Sequence, residues 1–234
     1  MYHPRVCAAN VLKLESAYGV SLQEHALPEI DSWTGRLADV MDHKGKPLRA
    51  LTEDEEAWIL NETLLCKVDF AYFATRYAKI NVKGHGLKTM DPFLETQLFI
   101  LKKMGALELA TYQGERQDGI LLNLLKGARQ VGGSTLAECV IGHRVVTQAN
   151  LFGLLASDVP GEKGSGYLFD MLERIIDSLP WWLAPELIEH VKNAELKTAA
   201  GCNIWVDAGK SMKGAVGARG QLGRMKNISL CHIS

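Results

Sequence analysis

The residues whose types and spacing suggest chemistry run from Leu125 to Thr135, as Leu-Lys-Gly-Ala-Arg-Gln-Val-Gly-Gly-Ser-Thr. Holding a nucleotide phosphate needs inward backbone N–H groups, a helix N-terminus beneath the anion and cations to offset its charge. Gly127, Gly132 and Gly133 permit the positive φ and close approach of such a loop. Against the pattern G-x-x-x-x-G-K-[ST], Gly127 and Gly132 match the two glycines, and Ser134 matches the hydroxyl residue that holds Mg²⁺. Gly133 stands where the lysine belongs, so the pattern fails at its most specific place. Lys126 and Arg129, at the front of the loop, are the cations left to face the β/γ-phosphates. The competing reading is an ordinary strand-to-helix turn. The apolar run before the loop, the two cations and the Gly-Gly-Ser-Thr helix start favour phosphate binding. On this reading Gly133→Ala strains the backbone.

Elements of a particular kind must position this loop. Ile120 to Leu125 is almost wholly apolar, as strands buried on both faces are. A helix is expected from Ser134 to about Val146, and the next apolar run is Leu151 to Ala156. Strand, glycine loop, helix and strand form a βαβ unit. Tyr167 to Leu179 reads as a helix with Leu168, Met171, Leu172, Ile175 and Leu179 as its buried stripe, stopped by Pro180. Ile204 to Val206 and Ile228 to Ile233 read as strands, separated by a glycine- and cation-rich loop from Asp207 to Arg224.

Upstream, Thr52-Glu-Asp-Glu55 is a capping-box pattern. Leu60, Leu64, Val68 and Tyr72 recur four apart behind it, which predicts one helix running to about Tyr77 or Ile80. Gly84 and Gly86 break the chain, and Pro92 opens an amphipathic stretch from Phe93 to Met104 with Leu94, Leu98 and Leu101 on one face. The first fifty residues are weakly patterned. Leu12, Leu14 and Tyr18 suit a short helix ended by Gly19, after which Pro28, Gly35, Gly45 and Pro47 act as breakers.

Composition sets the outer bounds. The 234 residues carry a net charge of −1, which argues against coating nucleic acid through bulk charge while leaving room for a local basic strip. The hydrophobic fraction of 47% is ordinary for a globular protein and excludes disorder and collagen. Cys7, Cys66, Cys139, Cys202 and Cys231 show no C-x-x-C spacing, so zinc has no support and free thiols in a reducing compartment are expected. No apolar run reaches membrane-spanning length, and Met1-Tyr-His-Pro-Arg begins no signal-peptide pattern. A soluble, intracellular protein is expected.

Lys126 to Thr135 resembles the deviant Walker A loop of tailed-phage terminase large subunits, in which the lysine stands at the front of the loop and an Arg-Gln pair precedes the second glycine. Weaker likenesses follow in order. They are Phe70-Ala-Tyr-Phe-Ala-Thr-Arg-Tyr77 with Pro92 and Gln97; Leu168-Phe169, Leu179-Pro180 and Leu183-Ala-Pro185; and Ala218-Arg-Gly-Gln-Leu-Gly-Arg224 before Ile228 to Ser234. The resemblance covers roughly residues 52–234. It implies an α/β fold with an ASCE-like P-loop NTPase parallel-sheet core in residues 119–234, a helical lead-in in 52–118 and an N-terminal segment in 1–51. It implies an ATP hydrolase that drives double-stranded viral DNA into procapsids in the host cytoplasm, as a homo-oligomeric ring with a terminase small subunit and a portal protein.

By the same resemblance, Lys126 and Arg129 contact the phosphates of ATP, and Gly127, Ala128, Arg129, Gln130, Val131, Gly132 and Gly133 cradle them. Ser134, with Thr135 beside it, binds Mg²⁺, and Gln97 reads the adenine unless it is simply an exposed polar residue on its helix. Gly133→Lys is expected to be tolerated, because related loops carry lysine there. The Walker B acid falls beyond Ser234, so a core cut off at the Walker B strand, without a nuclease domain and without turnover of its own, is expected. His232 reads as a packed core histidine, and Trp181-Trp182 as a helix-end anchor rather than a base-stacking platform. The basic stretch from Lys210 to Lys226 is either a solvated loop or a contact to DNA or a neighbouring subunit. Two alternatives stay open: a helicase-like P-loop ATPase, and a remnant that binds nucleotide or partner without turnover.

Overall fold

A computed structural model of the chain describes residues 12, 15–42, 45–82, 84–104, 132–157, 164–192, 194–207 and 230–233. The fold is mixed α/β. It divides into two compact units, Met1–Lys79, Lys88–Val131 and Leu179–Leu183 in the first, and Ile80–Leu87, Gly132–Ser178 and Ala184–Ser234 in the second.

In the first unit, helix α1 (Leu27–Arg36) begins with Pro28 in its opening turn. Proline is at home there because that N–H has no helical acceptor anyway. Pro28 and Gly35, expected as breakers, instead lie within this helix, one in its opening turn and the other in its last. Helix α2 (Glu53–Val68) starts at the expected capping box, with Glu55 N–H donating to Thr52 Oγ1 at 3.3 Å and Thr52 N–H to Glu55 Oε2 at 2.9 Å. The single helix expected to run to Tyr77 is two. Asp69 leaves helical geometry at φ −126°, ψ 98°, and its carboxylate accepts from Tyr72 N–H at 3.0 Å. A short acidic side chain that can bond the backbone ahead of it ends one helix and caps the next, α3 (Phe70–Arg76). Of the predicted stripe, Leu64, Val68 and Tyr72 are buried, whereas Leu60 is exposed.

Of the face expected for α4 (Glu95–Met104), Leu101 is buried and Leu98 half-buried, whereas Leu94, just ahead of the helix, is exposed; Phe93, Gln97 and Ile100 are buried as well. The core of this unit is aromatic. Phe70, Tyr72 and Phe73 are almost fully buried. Trp58 stacks on Trp33 at 5.3 Å and meets Trp182 edge-on at 5.2 Å, and Tyr77 meets Trp182 edge-on at 5.3 Å. Trp181 Nε1–H donates to Leu37 O at 3.2 Å. Trp181 and Trp182 are thus half-buried and held by residues of the first unit.

A hairpin, β1 (Lys79–Val82) and β2 (Gly86–Thr89), turns at Gly84 and Gly86, both with left-handed φ. In the second unit, helix α5 (Gly133–Thr147) leads to β3 (Phe152–Ala156), and helix α6 (Ser165–Asp177) follows. Then come β4 (Leu187–Val191), β5 (Glu195–Thr198), β6 (Asn203–Asp207) and β7 (Leu230–Ile233), in the sheet order β4-β5-β6-β3-β7. Strand β3 is parallel to both β6 and β7, while β5 is antiparallel to β4 and β6. The expected parallel core is present in β6-β3-β7, and the antiparallel β4 and β5 make the described sheet a mixed one. The β4–β5 hairpin is hidden in the sequence because Glu, Leu, Lys and Ala around Glu186 to Lys197 have high helix propensity. Sheet pairing overrides that preference. The core packs α5 and α6 on the sheet through Ile141, Val145, Leu155, Phe169, Leu172 and Ile204.

Candidate functional site

The expected phosphate loop meets the described structure at Gly132. This residue precedes α5 as its N-cap with φ +68°, ψ +23°, the left-handed turn that glycine adopts without a Cβ penalty. Gly132, having no side chain, offers the helix no side-chain cap. The first-turn amides of α5 have no acceptor within their own helix, and the helix dipole adds partial positive charge at that end. Gly133, Ser134 and Thr135 form this first turn, and all three are half-buried. Gly133 has ordinary helical φ, and a Cβ built on it meets nothing within 4 Å among the described residues. The strain expected of Gly133→Ala is therefore corrected: Gly132, not Gly133, carries the left-handed geometry.

Backbone connectivity fixes where this turn lies within the second unit. The Cys202 thiol, just before β6, lies 3.4 Å from Gln148 O and 3.9 Å from Val145 O, so α5 ends at the edge where β3 and β6 begin. Its N-terminus therefore points toward the opposite edge, where β3 ends at Ala156, β6 at Asp207 and β7 at Ile233, in register. Helix α6 runs beside α5 in the same direction: Thr135 Oγ1 approaches Met171 Sδ at 3.8 Å, and Gly142 faces Ile175 and Leu172. Both helix N-termini thus open toward the carboxyl edge of the parallel strands, where ligands of open α/β sheets bind. A glycine at position 142 is what lets the two helices approach, since a Cβ there would lie 3.2 Å from Ile175 Cγ2.

These features suit the group they would hold. A left-handed glycine followed by uncapped helical amides fits a phosphate, and Ser134 supplies a hydroxyl at the helix start that fits Mg²⁺ with its waters. Among the described residues no cluster of three acidic, histidine or cysteine side chains could hold a metal by itself. Lys126, Gly127, Ala128, Arg129, Gln130 and Val131 lie outside the described residues, as does the preceding Ile120 to Leu125 strand. So does most of the basic loop, from 208 to 229. His232 pairs in register with Leu155 on β7. Gln97 belongs to the first unit, where it is buried rather than exposed, and its Oε1 accepts from Leu94 N–H at 2.9 Å. This is half of a capping box at the start of α4. Among the described residues, Cys66, Cys139 and Cys202 are buried and form no disulfide with one another.

A second concentration of polar groups, marked by no sequence motif, lies within the first unit. Glu62 is fully buried on α2. Its carboxylate accepts from the His25 ring at 2.6 Å, Asn61 Nδ2 at 3.0 Å, Tyr72 OH at 2.9 Å and Tyr77 OH. Burial, reinforced by the Glu62 charge, holds the Tyr72 phenol well above its ordinary range, and burial with the neighbouring Cys66 and Glu62 does the same for Tyr77. Both therefore stay protonated donors. The available signal was the i, i+10 and i, i+15 recurrence of tyrosines after an acid, which no simple helical period makes visible.

Among the described residues no helix is long and apolar enough to cross a membrane. No protein-family model matches the chain, and no curated protein matches it significantly.

Proposed function

We propose that the second unit binds ATP with Mg²⁺ at the N-terminus of α5, as the P-loop ATPase region of a viral terminase large subunit. The observation that carries the nucleotide reading is the left-handed Gly132 leading into uncapped helical amides at the carboxyl edge of parallel strands. The assignment to a DNA-packaging motor rests on the sequence resemblance of Lys126 to Thr135 and the ordered likenesses around it. In this reading Lys126 and Arg129 supply the charge that Gly133 does not, and Ser134 orients the metal. Viral double-stranded DNA, a small subunit and a portal protein are the partners it brings.

Titration of the chain with Mg²⁺-ATP tests the site. Lys126→Ala is expected to abolish binding, because the loop loses its front cation. Gly133→Lys is expected to retain it, since related loops carry a lysine there and no described residue lies within 4 Å of a Cβ at that position. Unchanged affinity in Lys126→Ala, or no binding in Gly133→Lys, overturns the assigned register. Turnover stimulated by DNA favours the motor over a module that only binds nucleotide.

A further inference from the structure

Helix α6 starts from three small, buried residues: Gly164 at its N-cap, then Ser165 and Gly166 in its first turn. Gly164 has no side chain with which to cap the helix. The Ser165 and Gly166 amides fall where an N–H has no acceptor within its own helix. Ser165 is only 1% exposed, and among the described residues its hydroxyl has no hydrogen-bond partner. Polar groups shut away from water nearly always have a partner, because an unpaired one forfeits its hydration. Side chains of an α-helix lean toward its N-terminus, so the Ser165 hydroxyl lies at the same end as the two amides.

Two N–H groups and one O–H are thus gathered at one helix end, with the positive end of the helix dipole behind them. No acidic side chain stands in the first turn to answer them. The glycines on either side of Ser165 let a ligand approach the backbone closely. Tyr167, in the same turn, is 53% exposed, so the turn borders solvent. Donors without acceptors at a helix N-terminus suit an oxyanion, and several donors together suit the several oxygens of a phosphate group. The turn lies at the carboxyl edge of the parallel strands, beside the start of α5: Gly142 faces Leu172 and Ile175 at about the same depth into the two helices. We propose that the first turn of α6 is a phosphate-binding site of its own, distinct from the α5 turn, with Ser165 as its side-chain donor. The proposal does not rest on nucleotide binding at α5.

Amide NMR of the full chain tests it, with two probes, because free phosphate and a nucleic-acid phosphodiester present the same kind of oxyanion. Orthophosphate or a short DNA duplex is expected to shift the Ser165 and Gly166 amide signals saturably. A response to orthophosphate marks a small-anion site and a response to the duplex alone marks a backbone contact; either supports the site. No response of these amides to both probes overturns it. Ser165→Ala should weaken binding of the active probe about tenfold, the scale of one hydrogen bond to a charged group. Unchanged affinity in that variant overturns the role of Ser165. Ser165→Asp would place a carboxylate of the chain's own at the same helix end and should remove the response altogether. A retained response overturns the proposal. Saturating Mg²⁺-ATP should leave the response in place, whether or not nucleotide binds at α5, and displacement of the probe by Mg²⁺-ATP overturns the claim of a distinct site.

Discussion

At the scale of single residues, the chain invests its polar chemistry in carboxylates that gather donors from several elements. Glu55 shows the part that sequence discloses and the part it does not. Its capping role is written in the Thr52-to-Glu55 spacing. The Arg49 fork that grips it, with Nη1 and Nη2 each 2.8 Å from a carboxylate oxygen, depends on how the chain folds back before α2. The same guanidinium reaches Asp39 at 2.9 Å. The Arg49 hydrogen bonds, with the Thr52 N–H second, lower the Glu55 pKa from 4.5 to about 2. A carboxylate more acidic in the folded state contributes stability that is complete above its unfolded value and lost as pH falls through the folded one. Glu55→Gln is therefore expected to be less stable than the parent at neutral pH. The gap should narrow between about pH 4.5 and about pH 2 and vanish below, as read by urea denaturation across that range. A constant gap would mean the pair contributes through shape and not charge. Glu62 was opaque in sequence for a plainer reason: an acid in a helix reads as solvent-facing, and only burial among tyrosines and a histidine makes it a structural centre.

At the scale of elements, local patterns located most helices but misjudged where they end and which faces they bury. Helix α5 and strand β3 lie within a residue or two of the expected spans. The break at Asp69 was hidden because a four-residue apolar repeat continues across it. The missed β4–β5 hairpin has the opposite cause, helix-favouring residues held in strands by a partner. Gly153 in β3 illustrates how pairing constrains a residue that periodicity leaves free. A Cβ at this position would lie 2.4 Å from Ile204 Cδ1 on the adjacent strand, in a fully buried site. Gly153→Ala is expected to cost about 1–3 kcal/mol through overpacking. Ile204→Val, which removes that methyl, should recover part of the loss, so that the double variant is more stable than the sum of the two single effects. Urea midpoints of the four proteins measure the coupling, and strict additivity would remove the contact as the cause.

At the scale of the molecule, neither unit is a continuous stretch of chain, since the first recruits Leu179–Leu183 from far along the sequence. Trp182 in that segment packs edge-on against Trp58 and Tyr77, and Trp181 bonds the Leu37 carbonyl 144 residues away. Trp182→Ala is expected to destabilise by about 2–4 kcal/mol, the lower part of the range for a large aromatic because the residue is only partly buried. Chemical denaturation followed by far-ultraviolet circular dichroism measures this, and a loss below about 0.5 kcal/mol would mark the tryptophan as a surface residue. The sequence by itself determined the α/β character, the capping box and the glycine turn into α5, because each is a pattern of neighbours that local backbone physics reads directly. Tertiary structure alone decided the mixed sheet, the burial of Glu62 and Gln97, and the recruitment of Trp182. Those outcomes depend on which distant surfaces meet, and no local period records that.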